Sequence, residues 1–249
     1  MRQLIAGNWK MNLLRAEALG LAAALRHGIA DIAAEMLVCP PAITLAAVAQ
    51  ALAGTDIAVG GQDCHQEAKG AHTGDISAPM LRDAGAGWVI LGHSERRQDH
   101  GETDEMVREK VLAAAAAGLI PIVCVGETED QRRSGAETEA VGWQLSGSLP
   151  RGFGTEVPGV LAYEPLWAIG SGKTPTEAEI ATMHAFIREE LLRQFPDAGA
   201  SVRILYGGSV KAANAAALLG VPEVGGALVG GASLVAEEFL AIARAGRGG

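Results

Sequence analysis

The sequence predicts an α/β protein, a single (β/α)8 barrel with eight parallel strands, on three observations. Short apolar runs alternate with longer Ala-, Leu-, Glu- and Arg-rich segments along the whole chain. The short runs are continuously apolar rather than alternating, so each strand is expected to be buried on both faces, as parallel strands covered by helices are. There are eight of them in 249 residues, the usual length of one such barrel.

In chain order the strand candidates are Leu4 to Ala6, Met36 to Cys39, Ile57 to Gly60, Trp88 to Leu91, Ile120 to Val125, Val160 to Tyr163, Ile204 to Tyr206, and Ala227 to Val229. The intervening segments have helical spacing. Thr103 to Ala117, for example, places Val107, Val111 and Ala114 on one face. A doubly wound open sheet has the same alternation and differs mainly in how its edges are resolved. No Pro/Gly/Ser-rich linker or charge block divides the chain, so residues 1–249 read as one domain.

Composition narrows the function. Hydrophobic residues make up 49% and charged residues 20%, enough to bury a large core without disulfides or metal. A net charge of −9 argues against nucleic acid or an anionic membrane as partner, since either needs a broad basic face. An anionic ligand must then be small and locally held. The opening MRQLIAGNWKMN has no apolar h-region, and no run reaches the roughly 18 apolar residues of a membrane span; a cytoplasmic protein is expected. Cys39, Cys64 and Cys124 form no C-x-x-C pair and read as reduced, while the histidines form no H-E-x-x-H, so no metal site is expected.

In a barrel the segments just after the strands meet at one mouth, which is where chemistry belongs. After the first strand, Asn8 and Lys10 can project from the same side of an extended segment. Alone, Lys10 reads more simply as a solvated strand-end lysine. After the fourth, His93 precedes a short helix opened by Ser94 and Glu95. A helix start disfavours imidazolium, so His93 reads as a neutral donor able to polarise a carbonyl, or as a satisfied core histidine. Glu95 reads as support or helix charge matching.

After the sixth strand, Glu164 is the candidate base, kept extended by Pro165 and followed by the apolar, glycine-bearing stretch Leu166 to Lys173, which suits a water-excluding lid. Thr176 and Glu179 have capping-box spacing for the next helix. Gly170 to Thr174 resembles the tail of a P-loop, but Trp167 stands where its first glycine belongs; no G-x-G-x-x-G follows any strand either. The chemistry is expected to need no cofactor. The last two strands end in Tyr206-Gly207-Gly208-Ser209 and Val229-Gly230-Gly231-Ala232, turns whose amides can approach a phosphate closely.

Together, GNWKMN, LGHSERR, AYEPLWAIGSGKT, YGGSV and VGGASL resemble the triosephosphate isomerase family in order and over almost the whole chain, with VGGQDCHQEAKGAHTGDIS, GETDEMV and GLIPIVCVGET adding similarity between them. The resemblance implies interconversion of dihydroxyacetone phosphate and glyceraldehyde 3-phosphate, in glycolysis and gluconeogenesis. It implies that Glu164 carries the proton, that His93, Lys10 and Asn8 stabilise the enediolate oxygens, and that Lys10, Gly170, Ser209, Gly230 and Gly231 bind the phosphate. It further implies a homodimer through the loop Gln62 to Asp75, with Thr73 and Gln62 as contacts. Asp63 departs from the asparagine common in the family, and Pro175 and Glu177 from its usual lid exit. Two rivals remain: another phosphate-binding barrel enzyme, and an inactive relative serving as an interaction protein, which would be expected to lack Glu164, His93 or Lys10.

Overall fold

A computed structural model describes residues 1–169 and 173–248. Eight strands form a closed barrel in which each pairs in parallel with its sequence neighbours: β1 (Leu4–Asn8), β2 (Glu35–Cys39), β3 (Ile57–Gly61), β4 (Trp88–Leu91), β5 (Ile120–Val125), β6 (Val160–Tyr163), β7 (Ile204–Tyr206) and β8 (Gly226–Val229). Closure rests on β1 pairing with β8, Leu4 opposite Gly226 through Gly7 opposite Val229. That pairing removes the open-sheet alternative.

The helices between strands are α1 (Arg15–Gly28), α2 (Ala42–Leu52), α3 (Ala78–Asp83), α4 (Ser94–Asp99) and α5 (Asp104–Ala116). They continue with α6 (Glu129–Arg133), α7 (Glu137–Ser148), α8 (Glu177–Gln194), α9 (Ala212–Gly220) and α10 (Ala236–Ala245). The expected cap of α8 forms: Thr176 Oγ1 accepts from the Glu179 amide at 3.2 Å while Glu179 accepts from the Thr176 amide at 2.8 Å. Glu177 thus opens α8 in its first turn, where carboxylates suit the helix dipole. α4 opens at Ser94 as expected, and His93 before it is the N-cap, its imidazole accepting the Glu95 amide.

Strand parity sorts the core into two layers. Leu4, Ala6, Leu37, Cys39, Trp88, Ile90, Ile122, Cys124, Val160, Ala162, Leu205 and Leu228 fill the barrel interior. Their neighbours Ile5, Met36, Val38, Val89, Leu91, Val123, Leu161 and Ile204 pack outward against the helices. Because side chains alternate along a strand, the next inward positions are Asn8 after Leu4 and Ala6, Glu164 after Val160 and Ala162, and Gly230 after Leu228. The interior is therefore apolar until the carboxyl ends of the strands, where the polar groups begin. Among the described residues no helix is long and apolar enough to cross a membrane.

Candidate active site

At that mouth lies a cavity of about 540 Å³ lined by Asn8, Lys10, His93, Glu164, Gly207, Gly208, Ser209, Gly230 and Gly231, together with Asn12, Lys211 and Glu238. Of the residues singled out from sequence, Asn8, Lys10, His93, Glu164, Ser209, Gly230 and Gly231 share this one space. Gly170 lies outside the described residues.

Glu164 is 2% exposed and bound at both oxygens: Oε1 lies 2.9 Å from His93 Nε2, and Oε2 accepts from the Ser94 amide at 3.0 Å. Its surroundings leave no room for larger residues. A Cβ on Gly207 would stand 2.8 Å from Glu164 Cγ, and one on Gly126 only 1.7 Å from the Glu164 carbonyl oxygen. Burial pushes the carboxyl up, but His93, the Ser94 amide and Lys10 outweigh it, so Glu164 lies below its ordinary range and is ionised.

His93 is 5% exposed, and its Nδ1 accepts the Glu95 amide at 3.2 Å. That donor fixes a lone pair on Nδ1 and so puts the proton of the neutral ring on Nε2, aimed at Glu164. Burial is the largest single influence and disfavours imidazolium, yet the Glu164 charge, its hydrogen bond to the ring and Glu95 together outweigh it, and the balance lies above the ordinary imidazole value. A helix start by itself favours the neutral ring; the carboxylate that follows β6 opposes it and raises the His93 pKa instead. Glu164→Gln is expected to lower the His93 pKa, because it removes the largest influence holding the proton on. NMR titration of the ring in both proteins checks this, and an unchanged His93 pKa contradicts it.

Lys10 has φ 51°, a left-handed conformation costing a lysine about 1–2 kcal/mol. Both ends of the residue are tied: its amide donates to Asn8 Oδ1 at 3.0 Å, and its carbonyl accepts from Gln62 Nε2 at 2.8 Å. Gln62 also donates to the Cys39 carbonyl at 2.9 Å, so its amide nitrogen, expected at a dimer contact, is used inside the chain. The Lys10 ammonium pairs with Glu95 Oε1. The glycine turns are braced from behind. Asn214 donates to the Ser209 carbonyl at 3.2 Å and accepts the Lys211 amide at 2.8 Å, while Ser233 donates through both Oγ and its amide to the Gly230 carbonyl. The turn after β8 enters a 3₁₀ turn, Gly231–Leu234, before α10.

The chain matches the family model described as triosephosphate isomerase over residues 3–246. The chain belongs to the triosephosphate isomerase family. A triosephosphate isomerase of Granulibacter bethesdensis is 66% identical over 98% of this chain and 99% of its own length; one of Acidiphilium cryptum is 59% identical over 98% of each. A crystal structure of triosephosphate isomerase from Bartonella henselae superposes with a TM-score of 0.91 at 47% identity, covering 98% of this chain and 99% of that one.

The residues that sequence reasoning passed over are those acting through a partner. Glu127, seen only as part of a similar string, accepts from Trp167 Nε1 at 2.9 Å and Tyr163 Oη at 3.1 Å, anchoring the start of the segment after Glu164. Lys211 and Glu238 enter the cavity wall from the starts of α9 and α10, and only their position at helix starts after the glycine turns could have suggested them. Away from this cavity, His65, His72 and Asp75 bring ligand atoms within 4.8 Å of one another. His65 Nδ1 accepts the Glu67 amide at 3.0 Å, so its Nε2 offers a proton rather than a lone pair to that cluster.

Proposed function

We propose that the chain interconverts dihydroxyacetone phosphate and D-glyceraldehyde 3-phosphate, with Glu164 moving one proton between adjacent carbons through an enediolate. The observation that carries this reading is the ionised, buried Glu164 in contact with the Nε2–H of His93, inside a cavity that also holds a lysine and two glycine turns.

The phosphate would sit on the backbone amides of Gly208–Ser209 and Gly230–Gly231, with the Lys10 and Lys211 ammonium groups offsetting its charge on an acidic protein. Substrate oxygen would then replace the Glu164 carboxylate at His93 Nε2. Freed from that contact, Glu164 takes the carbon-bound proton; the electron pair moves into a carbon–carbon double bond and onto the carbonyl oxygen. His93 and Lys10, with Asn8 on the same wall, stabilise the oxygen charge, and Glu164 returns the proton to the neighbouring carbon. Once Glu164 has left His93, burial and Lys10 favour the neutral donor, opposed only by the smaller pull of Glu95. Closing the segment after Glu164 over the site would exclude water from the enediolate. Every step uses groups of the chain itself.

A homodimer accompanies this reading. Met11 after β1, Ile43 in α2 and Met80 in α3, just beyond the Gln62 to Asp75 loop, are 95%, 92% and 56% exposed, apolar side chains on the segments that follow three adjacent strands, which a second copy would cover. Three buried free thiols suit a reducing cytoplasm. A coupled assay on purified protein in both directions is expected to show isomerisation, and sedimentation a dimer; inactivity on both triose phosphates sinks the first claim, and a monomer at assay concentration the second.

A further inference from the structure

Beside the cavity, four charges close a ring. Asp63, two residues past β3, contacts Lys110 Nζ of α5 at 2.8 and 3.0 Å and Arg96 Nη2 of α4 at 3.0 Å. Glu102, just before α5, contacts Arg96 Nε at 2.6 Å and Lys110 Nζ at 2.5 Å. Each acid thus meets both cations. Glu102 and Lys110 are 6% and 5% exposed, and so buried a set of charges is tolerated only when it balances. With asparagine at 63, one acid would face two cations.

The ring holds a helix that packing cannot. α4 reads SERRQD and buries only Ser94, so it has no apolar side chain to anchor it. Its position rests on polar ties: the Arg96 ring, and Arg97, which reaches the Gly92 and Cys124 carbonyls, Ser148 and Asp104. Yet α4 carries the Ser94 amide that holds Glu164 and the Glu95 carboxylate that holds the Lys10 ammonium. The residue before Asp63, Gln62, grips the Lys10 carbonyl directly. One dipeptide therefore steadies Lys10 from the backbone and, through Arg96, from the side chain.

We propose that the Asp63 carboxylate is a positioning residue for the isomerisation, setting through Arg96 where α4 presents the Ser94 amide to Glu164 and Glu95 to Lys10. The inference rests on the reading that Glu164 and Lys10 carry the reaction. Its charge, and not its shape alone, does the positioning. Burial, with Glu102 adding to it, outweighs Lys110 and Arg96 and raises the Asp63 carboxyl above its ordinary value, which brings its protonation toward accessible pH. The groups facing it are Arg96 from α4, Lys110 from α5, Glu102 and its neighbour Cys64, with His65, Asp75 and His100 lining the same cleft.

The test compares kcat and KM for the wild type and Asp63→Asn from neutral pH down to about pH 5, with thermal melting and sedimentation confirming the same fold and assembly. At neutral pH Asp63→Asn is expected to lower kcat about two- to thirtyfold, the range for residues that act without touching substrate. On acidification the ratio of the two proteins is expected to shrink, because protonated Asp63 is as neutral as Asn; Glu164 and His93 titrate in both and cancel in the ratio. A ratio that stays flat with pH, or unchanged kcat and KM, overturns the proposal. Should Asp63→Asn not fold, Arg96→Lys keeps the charge but loses the fork joining Asp63 to Glu102. It is expected to lower kcat by a similar factor, and full wild-type kcat in that variant overturns the proposal. An inactive wild type would instead defeat the reading of the reaction itself.

Discussion

Glu164→Gln is expected to lower kcat by about a hundred- to ten-thousandfold, the usual worth of a positioned general base, with KM little changed because the phosphate turns are untouched. The amide is isosteric but cannot take a proton from carbon. It also presents one acceptor where the protein offers two donors, the His93 Nε2–H and the Ser94 amide, so one buried donor loses its partner. Glu164→Asp separates basicity from position. It keeps the carboxylate but withdraws it by one carbon–carbon bond, about 1.5 Å, which is expected to cost about a hundredfold in kcat. A Gln variant faster than the Asp variant would remove Glu164 as the base. The same environment sets the acid limb of the free enzyme. Glu164 works only when ionised, and its pKa is depressed, so its own protonation should cut kcat/KM only below the ordinary glutamate value of about 4.3, beneath the limb that protonation of His93 sets at higher pH. A limb centred above that value for this group contradicts the geometry.

The strands were legible because each is a short, wholly apolar run with a polar or glycine boundary. β4, β5, β6 and β7 begin and end where the sequence suggests, while β1 runs on to Asn8 because its last residues continue the ladder to Val38 and Cys39 of β2. Closure was not legible locally, since it depends on Leu4 meeting Gly226 from the far end of the chain. The cavity was legible because segments just after barrel strands meet at one mouth, which is where Asn8 and Glu164 lie. What the sequence could not display was electrostatic company. Glu95 follows His93 immediately and looks like helix charge matching, yet it reaches across to Lys10. Asp63, Arg96, Glu102 and Lys110 are spaced without any motif, and only the packing of α4 and α5 against the loop after β3 makes them one ring. The protonation preference of His93 fails to follow from its helix start for the same reason: its strongest charged neighbour lies two strands away, on β6.

Lys10→Met should be the second most damaging change, lowering kcat/KM by about a hundred- to a thousandfold, the cost of removing one charge-stabilising group from a developing oxyanion. Methionine preserves the length of the stem and removes only the ammonium. KM should rise as well as kcat fall, because Lys10 stands on the wall shared by both the phosphate turns and His93. Glu95 is the informative partner. It pairs with the ammonium, and its other oxygen lies 3.7 Å from His93 Nδ1, so it could act through either. If it acts by holding Lys10, Glu95→Gln alone should be milder than Lys10→Met, and adding it to Lys10→Met should cost nothing further, since the group it steadies is already gone. Additive losses in that double-mutant cycle would place the influence of Glu95 on the imidazole instead. In that case the kcat/KM profile of Glu95→Gln should shift along the pH axis, because Glu95 is one of the charges favouring the protonated ring and its removal lowers the His93 pKa.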